Sequence, residues 1–313
     1  MLRIVKPGLQ TTLQGASRKG YRHLGIPFSG PADALSMALA NRLVDNAIDA
    51  TCLEITYGGF EAEFERDCTI AVTGAGEQVL ISADAAPLHQ TVQIKAGDRV
   101  KIERPHSGTR SYLAIRSGFQ ARVQFGSTST YMPAHLGGIE GRALQLDDVL
   151  RAISDPEFEL EKQTPESLRP FFDGRFALRA TRSAETELLS GAACNSLFNS
   201  TFTVGRQATR MGIALEGHDL APESDGMMES APVFPGTIQC PPSGQPIVLL
   251  CDAQTTGGYP RIAHIARCDR HLLGQARPGD QIRLLHRTPV QAVEDYERKR
   301  ALLDHWLLAD PEN

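Results

Sequence analysis

The sequence predicts a mainly β protein built from two tandem β domains with a few helices. Three observations carry that expectation. Short runs of strand length recur at spacings of about 8 to 12 residues, the rhythm of a sandwich or barrel. Around 153–169 the composition shifts to Asp, Glu, Pro, Gln and Ser, which places a boundary between domains 1–160 and 161–313. And Gly279-Asp280-Gln281-Ile282-Arg283-Leu284 echoes Gly97-Asp98-Arg99-Val100-Lys101-Ile102, as two similar β domains would.

Leu2 to Val5 is a short strand ended by Pro7-Gly8, and Thr11 to Gln14 suits a second. A polar, glycine-rich stretch follows from Gly15 to Gly30, with Arg18, Lys19, Tyr21 and Arg22 as side chains able to meet an anion or to cover a barrel end. Pro31 to Asn46 reads as a helix. Ser29 or Gly30 can cap it, Pro31 suits its first turn, Asp33 lies at the positive end of its dipole, and Leu35, Leu39 and Leu43 form a stripe. From Thr51 the chain turns to strands: 52–57, 60–64, 69–73, 79–81, 91–94, 99–102 and 110–115. A second polar, glycine-rich region spans 126–142, and together with the first and with residues 252–260 it can line one cleft.

In the second half, 175–180, 202–204, 212–215 and 279–284 read as strands, and an Arg-bearing turn, Gly205 to Met211, lies among them. Gly236 to Ala263 is the most informative stretch. Thr237 to Cys240 is a short strand, and Ile247 to Cys251 is an unbroken apolar run, the mark of a strand buried on both faces. Polarity then changes abruptly to Asp252-Ala253-Gln254-Thr255-Thr256-Gly257-Gly258-Tyr259-Pro260. Irregular polar loops at strand ends are common homes for binding sites, and a tight turn bonded to its own backbone is the competing reading. Gly257 and Gly258 allow positive φ and the close approach of N–H groups to a ligand. A C-terminal helix starts at Thr288-Pro289, with Thr288 and Gln291 as a capping box and Val290, Val293 and Tyr296 as an apolar stripe, and reads as scaffold or as an interface element.

The chain has 313 residues, a net charge of −5 and no Lys/Arg run, which argues against a nucleic-acid or anionic-membrane surface. No apolar run approaches the roughly 20 residues of a membrane span, and the first residues lack a signal-peptide core, so a cytoplasmic setting is expected. The six cysteines are scattered and read as free thiols. No zinc-type Cys/His spacing, phosphate loop or Met-Lys-Met biotin site is present, so no metal site is expected. The polar loops suit carbonyl or carboxylate chemistry. Arg206 or Arg210 can hold a carboxylate in a bidentate fork, N–H groups near Gly257 and Gly258 can stabilise an oxyanion, and Asp252 or Glu54 can act as a base.

These residues resemble the family of 5-oxoprolinase C subunits, also called the KipA or allophanate hydrolase subunit 2 type. The resemblance runs from Val5-Lys6-Pro7-Gly8-Leu9-Gln10 through Gly20-Tyr21-Arg22, Ser29-Gly30-Pro31-Ala32-Asp33, Leu53-Glu54-Ile55-Thr56 and Arg210-Met211-Gly212 to the Gly236–Pro260 stretch. It departs at Gly15, where an acidic residue is usual, at Ala208-Thr209, where Ser-Asn or Ser-Asp is common, and at Asp147, where a glycine-type turn residue is usual. The resemblance implies two cyclophilin-like β-barrel domains and assembly with two partners, the KipI-type B subunit and the A subunit of 5-oxoprolinase. It implies opening of 5-oxoproline to glutamate at the expense of ATP with Mg. Two alternatives follow from it: a carboxyltransferase component using biotin carried elsewhere, and a regulatory protein that binds a KipI-type kinase inhibitor. The expected catalytic residues are Asp252, Arg210 and Glu54. The expected substrate-binding residues are Gln254, Thr255, Thr256, Gly257, Gly258, Tyr259, Tyr21, Arg22, Ser29 and Asp33.

Overall fold

In a computed structural model, described for residues 1–76, 78–154, 161–222 and 228–308, the chain divides into two compact units. The first comprises Met1–Lys19, Ser29–Phe172 and the chain from Trp306 on; the second comprises Gly20–Phe28 and Asp173–His305. The boundary expected at 160/161 therefore falls inside the first unit. Residues 20–28, read as part of the N-terminal domain, group with the second.

The first unit is a sandwich of two antiparallel sheets. One has the order Val149–Leu150, Leu2–Pro7, Phe60–Phe64, Arg99–Ile102, Val79–Ile81, Asp84–Ala86. The other has the order Gln10–Gln14, Cys52–Thr56, Arg110–Ile115, Cys68–Gly74, Thr91–Ile94. Phe60, Phe64 and Val100 of the first sheet and Leu53, Val72 and Leu113 of the second share the core between them. Helix α1, Ala34–Leu43, covers the outer face of the second sheet, where Met37, Ala40 and Leu43 pack on Cys52, Ala71, Tyr112 and Ala114. That cover explains the sequence pattern. Cys52–Thr56 and Arg110–Ile115 are buried on both faces and do not alternate, whereas Phe60–Phe64 faces solvent on one side and does.

The second unit is a closed barrel in the order Arg175–Arg182, Arg261–Ile265, Thr237–Gln239, Ile247–Leu249, Gly212–Glu216, Thr201–Ala208, Gln281–His286. A parallel pairing of its first and last strands completes the circle. Of the two β domains, then, only this one closes; the first remains two sheets. Helix α2, Gly191–Asn199, was not expected; Ser190 caps it. The short helix α3, Arg270–Leu273, and the long helix α4, Pro289–Leu307, complete the fold. The capping box of α4 forms as predicted: Thr288 N–H donates to Gln291 Oε1 at 3.0 Å and Gln291 N–H to Thr288 Oγ1 at 3.2 Å. Of its apolar stripe, Val290 and Val293 are exposed, while Tyr296 is half-buried with the Arg267 guanidinium 4.6 Å from its ring centroid. Trp306 packs against the α1 cluster, and its backbone carbonyl accepts from Arg42 Nε at 2.9 Å.

The internal echo is real at the level of the turn. Gly97 and Gly279 have φ of 93° and 92°. In each turn the aspartate that follows accepts from the N–H three residues back, Lys95 at 2.8 Å and Arg277 at 2.9 Å.

Candidate active site

Two buried polar centres hold the catalytic residues that the sequence nominates, one in each unit. In the first unit the register sets Tyr112 opposite Glu54 on the α1 side of the sheet. Tyr112 donates to Glu54 Oε2 at 2.7 Å, and Ala32 N–H donates to the same oxygen at 2.8 Å. Arg110 Nε lies 3.4 Å from Glu54 Oε1, and both side chains are buried. Asp33 N–H donates to the Tyr112 hydroxyl at 2.8 Å. Burial, then the charges of Glu54 and Asp33, hold the Tyr112 phenol well above its ordinary pKa.

Asp33 itself, not Ser29 or Gly30, caps α1. Its carboxylate accepts from Ser36 N–H at 3.0 Å and from the Ser36 hydroxyl at 2.6 Å. Asp33 and Ser29 are both buried; Ser29 has φ of 50°. The two glycine-rich regions touch each other in the first unit, where Gly15 N–H donates to Ser129 Oγ at 3.0 Å and Arg18 donates to the Ser129 carbonyl, while residues 252–260 belong to the second unit. The departure at Gly15 follows, since a Cβ there would lie 2.3 Å from Thr128 Oγ1. Asp147 takes φ of 65°, the left-handed region that glycine usually fills and Asp tolerates.

In the second unit Arg210 Nε donates to Asp252 Oδ2 at 2.7 Å and Arg210 Nη2 to Oδ1 at 3.2 Å. Both residues are buried. Their backbones are joined as well, because Asp252 N–H donates to the Arg210 carbonyl at 3.0 Å. The turn expected at Gly205–Met211 is shorter, since strand Thr201–Ala208 runs through its first half, and the pair ties residues 209–211 to the 252–260 loop. Beside it opens a cavity of about 400 Å³ lined by Arg206, Thr209, Met211, Gln239, Ile247, Leu249, Gln254 and Tyr259, among others. Gln254 Nε2 donates to Gln239 Oε1 at 3.2 Å, and Gln239 Nε2 to the Tyr259 carbonyl at 3.1 Å. Neither Arg210 nor Asp252 lines the cavity.

Gly257 and Gly258 do not take positive φ; they are needed for space. A Cβ on Gly257 would lie 2.7 Å from Gln239 Nε2, and one on Gly258 2.9 Å from the Met228 carbonyl. Thr256–Gly257 pairs with Ala231–Pro232. Thr255 offers its carbonyl to Val233 N–H at 3.1 Å and to Arg22 Nη2 at 3.1 Å. Arg22 is thereby committed: it also donates to the Val233 carbonyl, and its guanidinium lies 4.8 Å from the ring centroids of both Phe28 and Phe234. Burial lowers its pKa from the ordinary value. It staples the loop that carries Gln254 rather than facing the cavity. Tyr21 stands at the start of the 3₁₀ turn Arg22–Leu24.

A larger recess of about 790 Å³ adjoins α2, lined by Arg182, Arg283, Arg287, His286 and Phe198 among others; no residue nominated from the sequence lines it. Reasoning from the sequence missed Gln239 and Tyr112. Each lies in a strand buried along its whole length, Thr237–Gln239 and Arg110–Ile115, and its polar group beside apolar neighbours was the available signal. No cluster of three or more His, Cys, Asp or Glu side chains suited to a metal ion occurs among the described residues. No helix among them is long and apolar enough to cross a membrane.

A family model described as the carboxyltransferase domain, subdomains A and B, matches residues 24–286. The chain is 36% identical over 294 residues to the C subunit of 5-oxoprolinase from Escherichia coli (strain K12), covering 94% of each chain. The chain belongs to the family of 5-oxoprolinase C subunits. A second protein of that name, from Haemophilus influenzae, is 33% identical and covers 90% of each chain. The crystal structure of K. lactis urea amidolyase superposes with a TM-score of 0.92 at 26% identity over 97% of this chain, which corresponds to only 20% of that one. This family membership agrees with the mainly β architecture and with a role in a multi-chain enzyme. Relatives named as one lettered component of an enzyme imply companion chains.

Proposed function

We propose that this chain is the C subunit of an ATP-dependent 5-oxoprolinase and works with the KipI-type B subunit and the A subunit to open 5-oxoproline to glutamate. The observation that carries this reading is the end-to-end relation to proteins of that name, 94% of both chains at 36% identity. The cavity beside the Arg210–Asp252 pair suits a small cyclic amide. Met211, Ile247 and Leu249 supply apolar wall for ring methylenes, while Gln239, Gln254 and Tyr259 supply polar groups. In this reading Arg210 and Asp252 hold the walls of the cavity in place, and the amides of Gln239 and Gln254 orient the lactam. Opening the lactam adds water across its C–N bond: oxygen joins the carbonyl carbon and the nitrogen leaves with a proton. ATP with Mg in the assembled complex supplies the driving force.

The test is reconstitution with both partner chains, 5-oxoproline and ATP. Glutamate should form only when all three chains and ATP are present. A complete, stable complex that releases no glutamate overturns the reading.

One finding favours a second reading, transfer of a carboxyl group from biotin carried on another protein: the carboxyltransferase description of the matched family and the likeness to urea amidolyase. Labelled carboxyl transfer from carboxybiotin to urea or a similar amide, in a complex inactive on 5-oxoproline, would establish it.

A further inference from the structure

We infer that Arg206, and not Arg210, is the residue that holds the carboxylate of an acid substrate, with Gln254 taking the amide N–H of the same molecule. This inference rests on the assignment of the 400 Å³ cavity as the substrate site. Arg206 lies in the strand Thr201–Ala208 and Arg210 in the turn that follows it, and elementary chemistry suits either to a carboxylate. The structure separates them. Arg210 is buried and already holds Asp252 by two hydrogen bonds, so binding a substrate there would strand a buried carboxylate. Arg206 lines the cavity, is exposed, and makes no hydrogen bond or ion pair with any described residue.

The backbone sets Arg206 apart as well. Strand Thr201–Ala208 pairs with Gly212–Glu216 through Val204↔Leu215 and then through Ala208↔Ile213, so the pairing slips between them and residues 205–207 bulge. A bulge re-aims the side chains it carries.

Among the residues that line the same cavity, the amide chain has a direction. Gln254 donates to Gln239, and Gln239 donates to the Tyr259 carbonyl. The side-chain carbonyl oxygen of Gln254 accepts from no described residue, which leaves it for an N–H of the ligand. A planar amide and a carboxylate on one small ring therefore find an acceptor at Gln254, a cation at Arg206 and apolar wall from Met211, Ile247 and Leu249 in one cavity. The ligand class is a small cyclic amide acid.

The experiment compares two ligands that differ only in charge. Binding of 5-oxoproline and of 2-pyrrolidinone, the same ring without the carboxylate, is measured by ligand-observed NMR for the chain alone and co-purified with its B-type partner. The wild type should bind the acid about 10- to 100-fold more tightly than the neutral lactam, the worth of a charge-assisted bidentate contact. Arg206→Gln should bring the acid down to the affinity of the neutral lactam, and Arg206→Lys should fall between. The unfolding temperature should not move, since Arg206 is exposed and unpartnered among the described residues. Equal binding of both ligands by the wild type, undiminished acid binding by Arg206→Gln, or no binding of either ligand in any preparation would overturn the inference. If discrimination holds while the full complex releases no glutamate, the oxoprolinase reading fails and the acid site stands. If turnover is normal while Arg206→Gln discriminates as the wild type does, the site fails and the reading stands.

Discussion

Glu54–Arg110 in the first unit and Asp252–Arg210 in the second are both buried acid–arginine contacts, and they differ in what borders them. The Glu54 carboxylate is enclosed by Tyr112, by the N–H of Ala32 and by α1 above. The Asp252 pair stands behind the wall of an open cavity, between two loops that line it. From the sequence either acid can act as a base, although Glu54 lies inside a strand and Asp252 just after one. Burial of a charged pair is thus a poor guide to chemistry by itself, because a group enclosed by its own partners has no room for a reacting atom. The useful sign is a polar group with spare hydrogen-bonding capacity at a cavity wall, which points to Arg206, Gln254 and Tyr259.

That contrast breaks most readily at the Arg210–Asp252 pair. Arg210→Ala or Asp252→Ala strands the other charge and should cost about 3–5 kcal/mol in chemical unfolding. Wild-type stability with turnover abolished would restore Asp252 as a reacting group, the role expected from the sequence.

The next effect is set by pH and lies in the first unit. Burial, then the charge of Arg169, lowers the pKa of His89 from 6.5 to about 4. The folded state keeps this imidazole neutral while the unfolded chain protonates it. The stability it contributes is therefore complete above pH 6.5 and is lost as the pH falls toward 4, by up to about 3 kcal/mol. Unfolding of His89→Gln should depend less on pH across that window, and an unchanged slope would remove His89 from the account.

A smaller effect should follow from Tyr112→Phe. It removes the hydroxyl that donates to Glu54 and accepts from Asp33 N–H, and should cost about 1–3 kcal/mol with no change in KM for the assembled enzyme. A changed KM with unchanged stability would make the Glu54 centre part of the site.

The smallest belongs to the helix cap. Asp33→Ala should cost about 1 kcal/mol, while Asp33→Asn and Asp33→Ser stay near wild type in thermal unfolding. A loss of substrate binding in all three would return Asp33 to the substrate-binding set.

Most of the fold was legible because it rests on local rules. Strand runs bounded by Gly and Pro, the Thr288–Gln291 capping box and the Gly-Asp turns at 97–98 and 279–280 are each decided within a few residues. Helix α2 escaped because Gly191–Asn199 has no clear leucine stripe and buries only Ala193 and Leu197. Around the candidate site the sequence marked a loop and not the partners of its side chains. The loop 252–260 does border a cavity, yet Asp252 is spent on Arg210 and Arg22 on the carbonyls of Val233 and Thr255.

By itself the sequence determined the β class, the polar loop after Ile247–Leu249 and the family. These depend on period, turn chemistry and motif, all of which run along the chain. Only the tertiary structure decided that residues 20–28 belong to the second unit, that one sheet system closes and the other does not, and which arginine is spare. Those outcomes depend on partners far apart in the chain, Arg22 with Thr255 and Arg210 with Asp252. A side chain's hydrogen-bonding capacity is spent in space, and its neighbours in sequence do not reveal on what.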